Sequence, residues 1–152
     1  MAITKQDSVQ IANGKSFPPK INPASDDGGR VRAKYFSFVQ AGQGDEDSLA
    51  YLAKMPGGKV RVLEIYVANS TWGAGRVVDV GFESYTDADG NGVAADYQHL
   101  IDNLAVATAG TTILRINKAL ETPAGWMLTG RISGDTAGDG NTLEGFVTYV
   151  AD

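Results

Sequence analysis

The residues best spaced to do chemistry in this 152-residue chain are Asp87, Asp89 and Asn91, with Gly92 directly after them. Side-chain oxygens at the first, third and fifth positions and glycine at the sixth reproduce the opening half of a calcium loop. They put hard oxygen donors on one turn and let the chain bend sharply behind them. Two features weigh against a metal. The twelfth position is Gln98 rather than a bidentate glutamate, and the segment before the loop reads as a strand instead of a helix. Asp96 is the nearby acid that could substitute in an irregular loop. The alternative is a polar turn in which Asp and Gly serve the backbone, and the missing ligand favours it. Calcium at this loop is the one cofactor the sequence raises, and otherwise none is expected. A second acidic turn, Asp135 to Asn141, lacks even this spacing.

Other reactive residue types do not converge. The single histidine is His99, and there is no cysteine, which removes zinc-thiolate sites, thiol nucleophiles and most triads. Carboxylates can always be paired on paper, but most of these acids sit in Gly-rich turns, where Asp bonds to backbone amides. Gly73-Ala74-Gly75 and the glycines from Gly134 to Gly140 match neither a P-loop nor a dinucleotide fingerprint. Trp72, in the loop Asn69 to Gly73, is a candidate surface contact for a sugar or a protein, the alternative being that it packs over the end of the sandwich. Trp126 opens a strand and reads as core. With no base, nucleophile and oxyanion donor brought together, the chain is expected not to be an enzyme.

The elements holding these residues read as strands. Gly accounts for 19 residues, well above the usual share, as expected for tight turns between short strands. Val31, Ala33 and Tyr35 alternate with Arg32 and Lys34, a strand with one wet face. Leu49, Tyr51 and Ala53 lead to Pro56-Gly57-Gly58, which predicts a hairpin with residues 59–68. Val78, Val80 and Phe82 mark another strand, as do residues 111–117, 126–132 and 143–150. Tyr97, Leu100, Ile101 and Leu104 fall at i, i+3, i+4 and i+7, which predicts one short helix with His99 facing solvent. The fold class is therefore all-β, a β-sandwich or jelly-roll-like domain over residues 30–152 with one short helix.

Residues 1–29 read differently. Pro18, Pro19 and Pro23 precede the loop-forming Ser25-Asp26-Asp27-Gly28-Gly29, so this segment is expected to be an extended N-terminal arm. Val9, Ile11, Phe17 and Ile21 give it apolar anchors, and Phe17 and Ile21 are the candidate partner-binding residues. The balance of 13 basic against 18 acidic residues, net −5, with no Lys/Arg run, argues against nucleic acid. No apolar run approaches a membrane span and MAITKQDSVQ is not a signal peptide. Without cysteine, synthesis in a reducing cytoplasm is expected.

Taken together, the Pro-containing arm, the Gly28-Gly29-Arg30-Val31-Arg32-Ala33 opening of the first strand, Gly58-Lys59-Val60-Arg61-Val62, Val78-Asp79-Val80-Gly81-Phe82 leading to an Asp/Gly loop, an Ala/Asp-rich short helical segment and the closing strand 143–150 resemble the small virion structural proteins of tailed bacteriophages. The resemblance covers most of the chain and consists of architectural cues, without an active-site motif. It implies a capsid decoration, or cement, protein made in the host cytoplasm and located in the virion. Its partners would be the major capsid protein or other virion proteins, in a homo-oligomer with a trimer favoured, the arm reaching over neighbouring subunits. The alternative is a tail-associated receptor- or carbohydrate-binding module using Trp72 and the Asp87–Gly92 loop.

Overall fold

Short apolar alternations punctuated by glycine build strands throughout, and among the described residues there is no helix. The computed structural model describes Pro18 and residues 30–135 and 137–151. The strands are β1 (Arg32–Val39), β2 (Leu49–Met55), β3 (Gly58–Asn69), β4 (Val77–Phe82), β5 (Tyr85–Thr86), β6 (Gly92–Val93), β7 (Asp96–Ala105), β8 (Gly110–Thr122), β9 (Trp126–Ser133) and β10 (Thr142–Ala151). Two four-stranded sheets result, ordered β1-β10-β3-β8 and β2-β9-β4-β7, with β5-β6 a separate small hairpin. All pairs in both sheets are antiparallel. From β1 onward the chain passes from one sheet to the other at every connection except that from β4 to β7. This is the double-sheet jelly roll.

The core lies between the sheets. Val60, Val62, Ile65 and Val67 of β3 and Val147 of β10 enter it from one side, and Val78, Val80, Leu128 and Ile132 from the other. Each such side chain contributes about 1.5–3 kcal/mol when fully buried. β3 keeps its inward side apolar through a register shift between Val62 and Glu64, so that Ile65 succeeds Val62 on the core side. Gly145 of β10 sits opposite Phe36, and a side chain there would overlap the Tyr66 carbonyl oxygen and press on the Phe36 ring.

Three expectations are corrected. Residues 48–55 and 59–68 do not form a hairpin: β2 pairs with β9, while β3 pairs with β10 and β8. Pro56-Gly57 turns the chain from one sheet into the other, stacked against the Pro123 to Gly125 turn, which makes the reverse crossing. The predicted helix is strand β7. In β4 the stretch Val78 to Val80 stands opposite the stretch Ile101 to Leu104, which is one residue longer, and Asn103 takes a left-handed backbone with φ 57°. This bulge adds a residue, so Ile101 and Leu104 both face the core at a spacing of three. A bulged strand thereby imitates helical periodicity. On β1 the alternation is as read but the side is reversed: Phe36 and Phe38 pack inward, and Val31 and Tyr35 face solvent.

Candidate functional site

The loop from Asp87 to Gly92 closes the β5-β6 hairpin. Asp87 Oδ1 accepts hydrogen bonds from the amides of Asp89 at 3.0 Å and Asn91 at 2.8 Å. Asn91 Nδ2 faces Asp87 Oδ2 at 3.4 Å, so Asn91 is placed here as a donor. This is the geometry of a self-capped polar turn. Among the described residues no group of three His, Cys, Asp or Glu side chains gathers as a metal cluster.

Trp72 is 2% exposed, and its Nε1 donates to the Thr142 carbonyl at 3.2 Å. The backbone amides of Trp72 and Gly73 donate to Val106 and Ala107, tying the loop over one end of the sandwich and turning the indole inward. Of the two readings of Trp72, the structure has the packing one and not the surface contact. His99, expected to face solvent, is half-buried on β7, its ring edge-on to Phe82 with centroids 5.0 Å apart and its Nδ1 3.5 Å from Asp96 Oδ2. Phe17 and Ile21, like every residue of 1–29 except Pro18, lie outside the described residues.

The two outer faces of the sandwich differ in character. On the β2-β9-β4-β7 side the centre is a closed polar cluster. Asp79 points away from the core between Val78 and Val80, yet is only 1% exposed. Its Oδ2 pairs with the Arg131 guanidinium at 2.6 Å and its Oδ1 accepts the Asn103 amide at 2.9 Å, the donor created by the β7 bulge. The hydrogen bond to Asp79 raises the Arg131 pKa, keeping the guanidinium charged. Arg131 also lies over the Tyr97 ring, 5.7 Å from its centroid, and Tyr97 donates its hydroxyl to Glu83 at 2.8 Å. That bond, then burial, pushes the Tyr97 phenol above its ordinary pKa. Gly81 lets the β7 backbone cross close above it, because any side chain would overlap the Asp96 carbonyl oxygen.

The β1-β10-β3-β8 side has no such cover among the described residues. Tyr35, Phe146, Tyr66 and Ile113 are consecutive register partners, one from each strand, and form a row across the whole sheet. Tyr35 is 77% exposed and Ile113 58%. Tyr66 and Phe146 stack with centroids 5.1 Å apart and planes 5° from parallel, and Tyr35 meets Phe146 at 5.7 Å and a 55° tilt. The stacked pair turns ring faces to one another and ring edges outward. Beside the row runs a shallow groove of about 410 Å³ lined by Tyr35, Ser37, Tyr66, Ala68, Glu144 and Phe146. Polar residues rim the strip: Ser37 bonds to Glu144 at 3.4 Å on one side, and Arg115 lies 4.0 Å from Glu64 on the other. An apolar centre within a polar rim is the anatomy of a contact surface.

Sequence reasoning missed this row. Its signal was there in the outward parity of Tyr35 once Phe36 and Phe38 are given the core, but the cross-strand register that aligns it with Phe146, Tyr66 and Ile113 is not visible in a single strand.

No protein-family model matches the sequence and no curated protein matches it significantly. Solved structures do share the fold. A chain of the capsid asymmetric unit of cyanophage Pam1 superposes with a TM-score of 0.60 at 17% identity, over 87% of this chain and 92% of that one. A chain of the capsid of Ralstonia phage GP4 gives 0.63 at 16% identity, over 88% of this chain and 92% of that one. At these identities the likeness is one of fold: an all-β double-sheet jelly roll, end to end, in chains of about the same length.

Proposed function

We propose that the protein is a bacteriophage capsid decoration, or cement, protein that stabilises the assembled head through multivalent, non-enzymatic contacts. The observation that carries this reading is the jelly roll shared, over nearly the full length of both chains, with proteins resolved in two phage capsids. The fold alone hosts many functions. What supports the structural one is that the most developed surface feature is a flat apolar strip with a polar rim, suited to protein contact. The carriers of the sugar-binding alternative fare less well: Trp72 is in the core and the Asp87 turn is occupied with its own backbone.

In this reading the partners are the major capsid protein or other virion proteins, the protein is a homo-oligomer, with a trimer favoured, and residues 1–29 form an arm that reaches neighbouring subunits in the virion. Mixing the purified protein with capsids stripped of it, then pelleting and heating them, tests the proposal. Saturable co-sedimentation and heads that survive to higher temperature are expected. A protein that stays in the supernatant and leaves head stability unchanged contradicts the reading.

A further inference from the structure

Four strands form the edges of the two sheets, β1 and β8 in one, β2 and β7 in the other. Three of these edges are interrupted. The pairings of β2, β7 and β8 each carry a register shift, Asn103 of β7 and Asn117 of β8 take left-handed backbone, and Lys118 of β8 donates to the His99 carbonyl of β7. Irregularities of this kind keep an edge from pairing further. Of the four, only β1 pairs without a shift, over all eight of its residues, and it contains no proline. Gln40, directly after β1, donates its amide to Asn141 and accepts from Gly140, both at 2.8 Å. Even-numbered residues of β1 therefore turn their backbone groups to β10, and odd-numbered residues turn theirs to the free edge. Val31, Tyr35 and Val39, all exposed, are odd-numbered. We propose that two copies of the chain pair antiparallel through β1, about a two-fold axis at Tyr35, joining their four-stranded sheets edge to edge into one.

The register follows from the order of residues along the strand. An axis at Tyr35 sets Val31 opposite Val39, Ala33 opposite Ser37 and Tyr35 opposite its own copy, so the exposed valines meet one another. Each of these odd-numbered pairs exchanges two backbone hydrogen bonds. On the other side of the strand, Lys34 stands opposite the second copy's Phe36 and Arg32 opposite its Phe38. Charged residues of this type hold an edge apart when they face one another, and here no two like charges are opposed. Neighbouring registers do worse. An axis at residue 34 would oppose Lys34 to itself, and one at residue 36 would leave Tyr35 opposite Ser37 and Val31 opposite Ala41.

The pairing also extends the apolar row. Tyr35 is the β1 end of the row Ile113, Tyr66, Phe146 and Tyr35, and in the joined sheet its copy continues it, so the two rows run end to end on one face. That face stays open, because the contact is made along the strand edge. An edge contact lies at the small end of specific interfaces, so the dimer is reversible. This inference concerns the protein alone in solution and does not rest on the decoration reading, which favours copies in threes.

Sedimentation equilibrium of the full chain, from micromolar to near-millimolar concentration, tests the association. A reversible monomer–dimer equilibrium is expected. Tyr35→Lys, which sets two ammonium groups against each other at the axis, should weaken it about tenfold or more while leaving the unfolding midpoint unchanged. The absence of cysteine lets single cysteines test the register. Under mild oxidation Tyr35→Cys should form a disulfide between chains, because residues paired in this way have Cα atoms about 5.5 Å apart. Ser37→Cys, whose two copies stand about 13 Å apart along the pairing, and Tyr51→Cys on the other sheet should do so about tenfold more slowly. A protein that stays monomeric throughout, a dimer indifferent to Tyr35→Lys, or equal disulfide rates at the three positions overturns the proposal. A trimer overturns it too, and leaves the decoration reading standing.

Discussion

The outer faces of the two sheets solve the same problem in opposite ways. On β2-β9-β4-β7 the strand bulge in β7 brings the Asn103 amide over Asp79, Arg131 closes the other side, and both carboxylate oxygens of the buried Asp79 are bonded within the face. On β1-β10-β3-β8 regular pairing lines up four apolar residues in register, with no charged partner at the centre. Irregular backbone yields a self-contained polar cluster, whereas regular backbone yields a continuous strip that something else must cover. One face therefore serves stability, and the other is free to serve contact.

Breaking the closed face should have the largest effect. Asp79→Ala leaves the Arg131 guanidinium and the Asn103 amide without their partner, and should cost about 3 kcal/mol in urea unfolding, read as a lower midpoint at unchanged slope. Asp79→Asn keeps an acceptor oxygen and should cost less. Gly145→Ala, beneath the open face, forces a side chain into the Tyr66 carbonyl and the Phe36 ring, for a loss of about 2 kcal/mol in the same assay. Tyr35→Ser on the surface of that face should change unfolding by about 0.5 kcal/mol or less. A larger cost of Tyr35→Ser than of Asp79→Ala would reverse the assignment of roles.

The smallest effect concerns pH. The folded-state pKa of Tyr97 is raised first by its bond to Glu83, so the stabilisation it brings is complete below the ordinary phenol value near 10 and disappears as pH climbs through the higher folded value. Tyrosine absorbance during alkaline titration should show a late-ionising group that Tyr97→Phe removes.

Much of the sandwich was legible because its strands alternate: Val78, Val80 and Phe82, or Trp126, Leu128 and Ile132, bury as their period-two spacing implies. The errors share one physical origin, since each depended on a partner strand. Periodicity cannot distinguish a helix from a strand with a bulge, hence β7. A Pro-Gly-Gly turn announces a reversal without naming the sheet the chain enters, hence the lost hairpin of β2 and β3. The polar alternative at Asp87 was readable from the missing twelfth ligand, and packing was readable at Trp72 as a large apolar side chain in a loop that caps the sandwich. Asp79 gave no sign of its burial, because its partners Arg131 and Asn103 come from strands far along the chain.

The contrast between the faces is tested most directly by hydroxyl-radical footprinting of the intact chain with mass spectrometry. Tyr35 on the open face and Tyr51 on the other are exposed by 77% and 59%. If the open face is the contact surface, Tyr35 will oxidise several-fold more slowly when the protein is bound to stripped capsids than when it is free, while Tyr51 will change little. Tyr35 oxidising equally fast in the free and the capsid-bound protein would contradict the account.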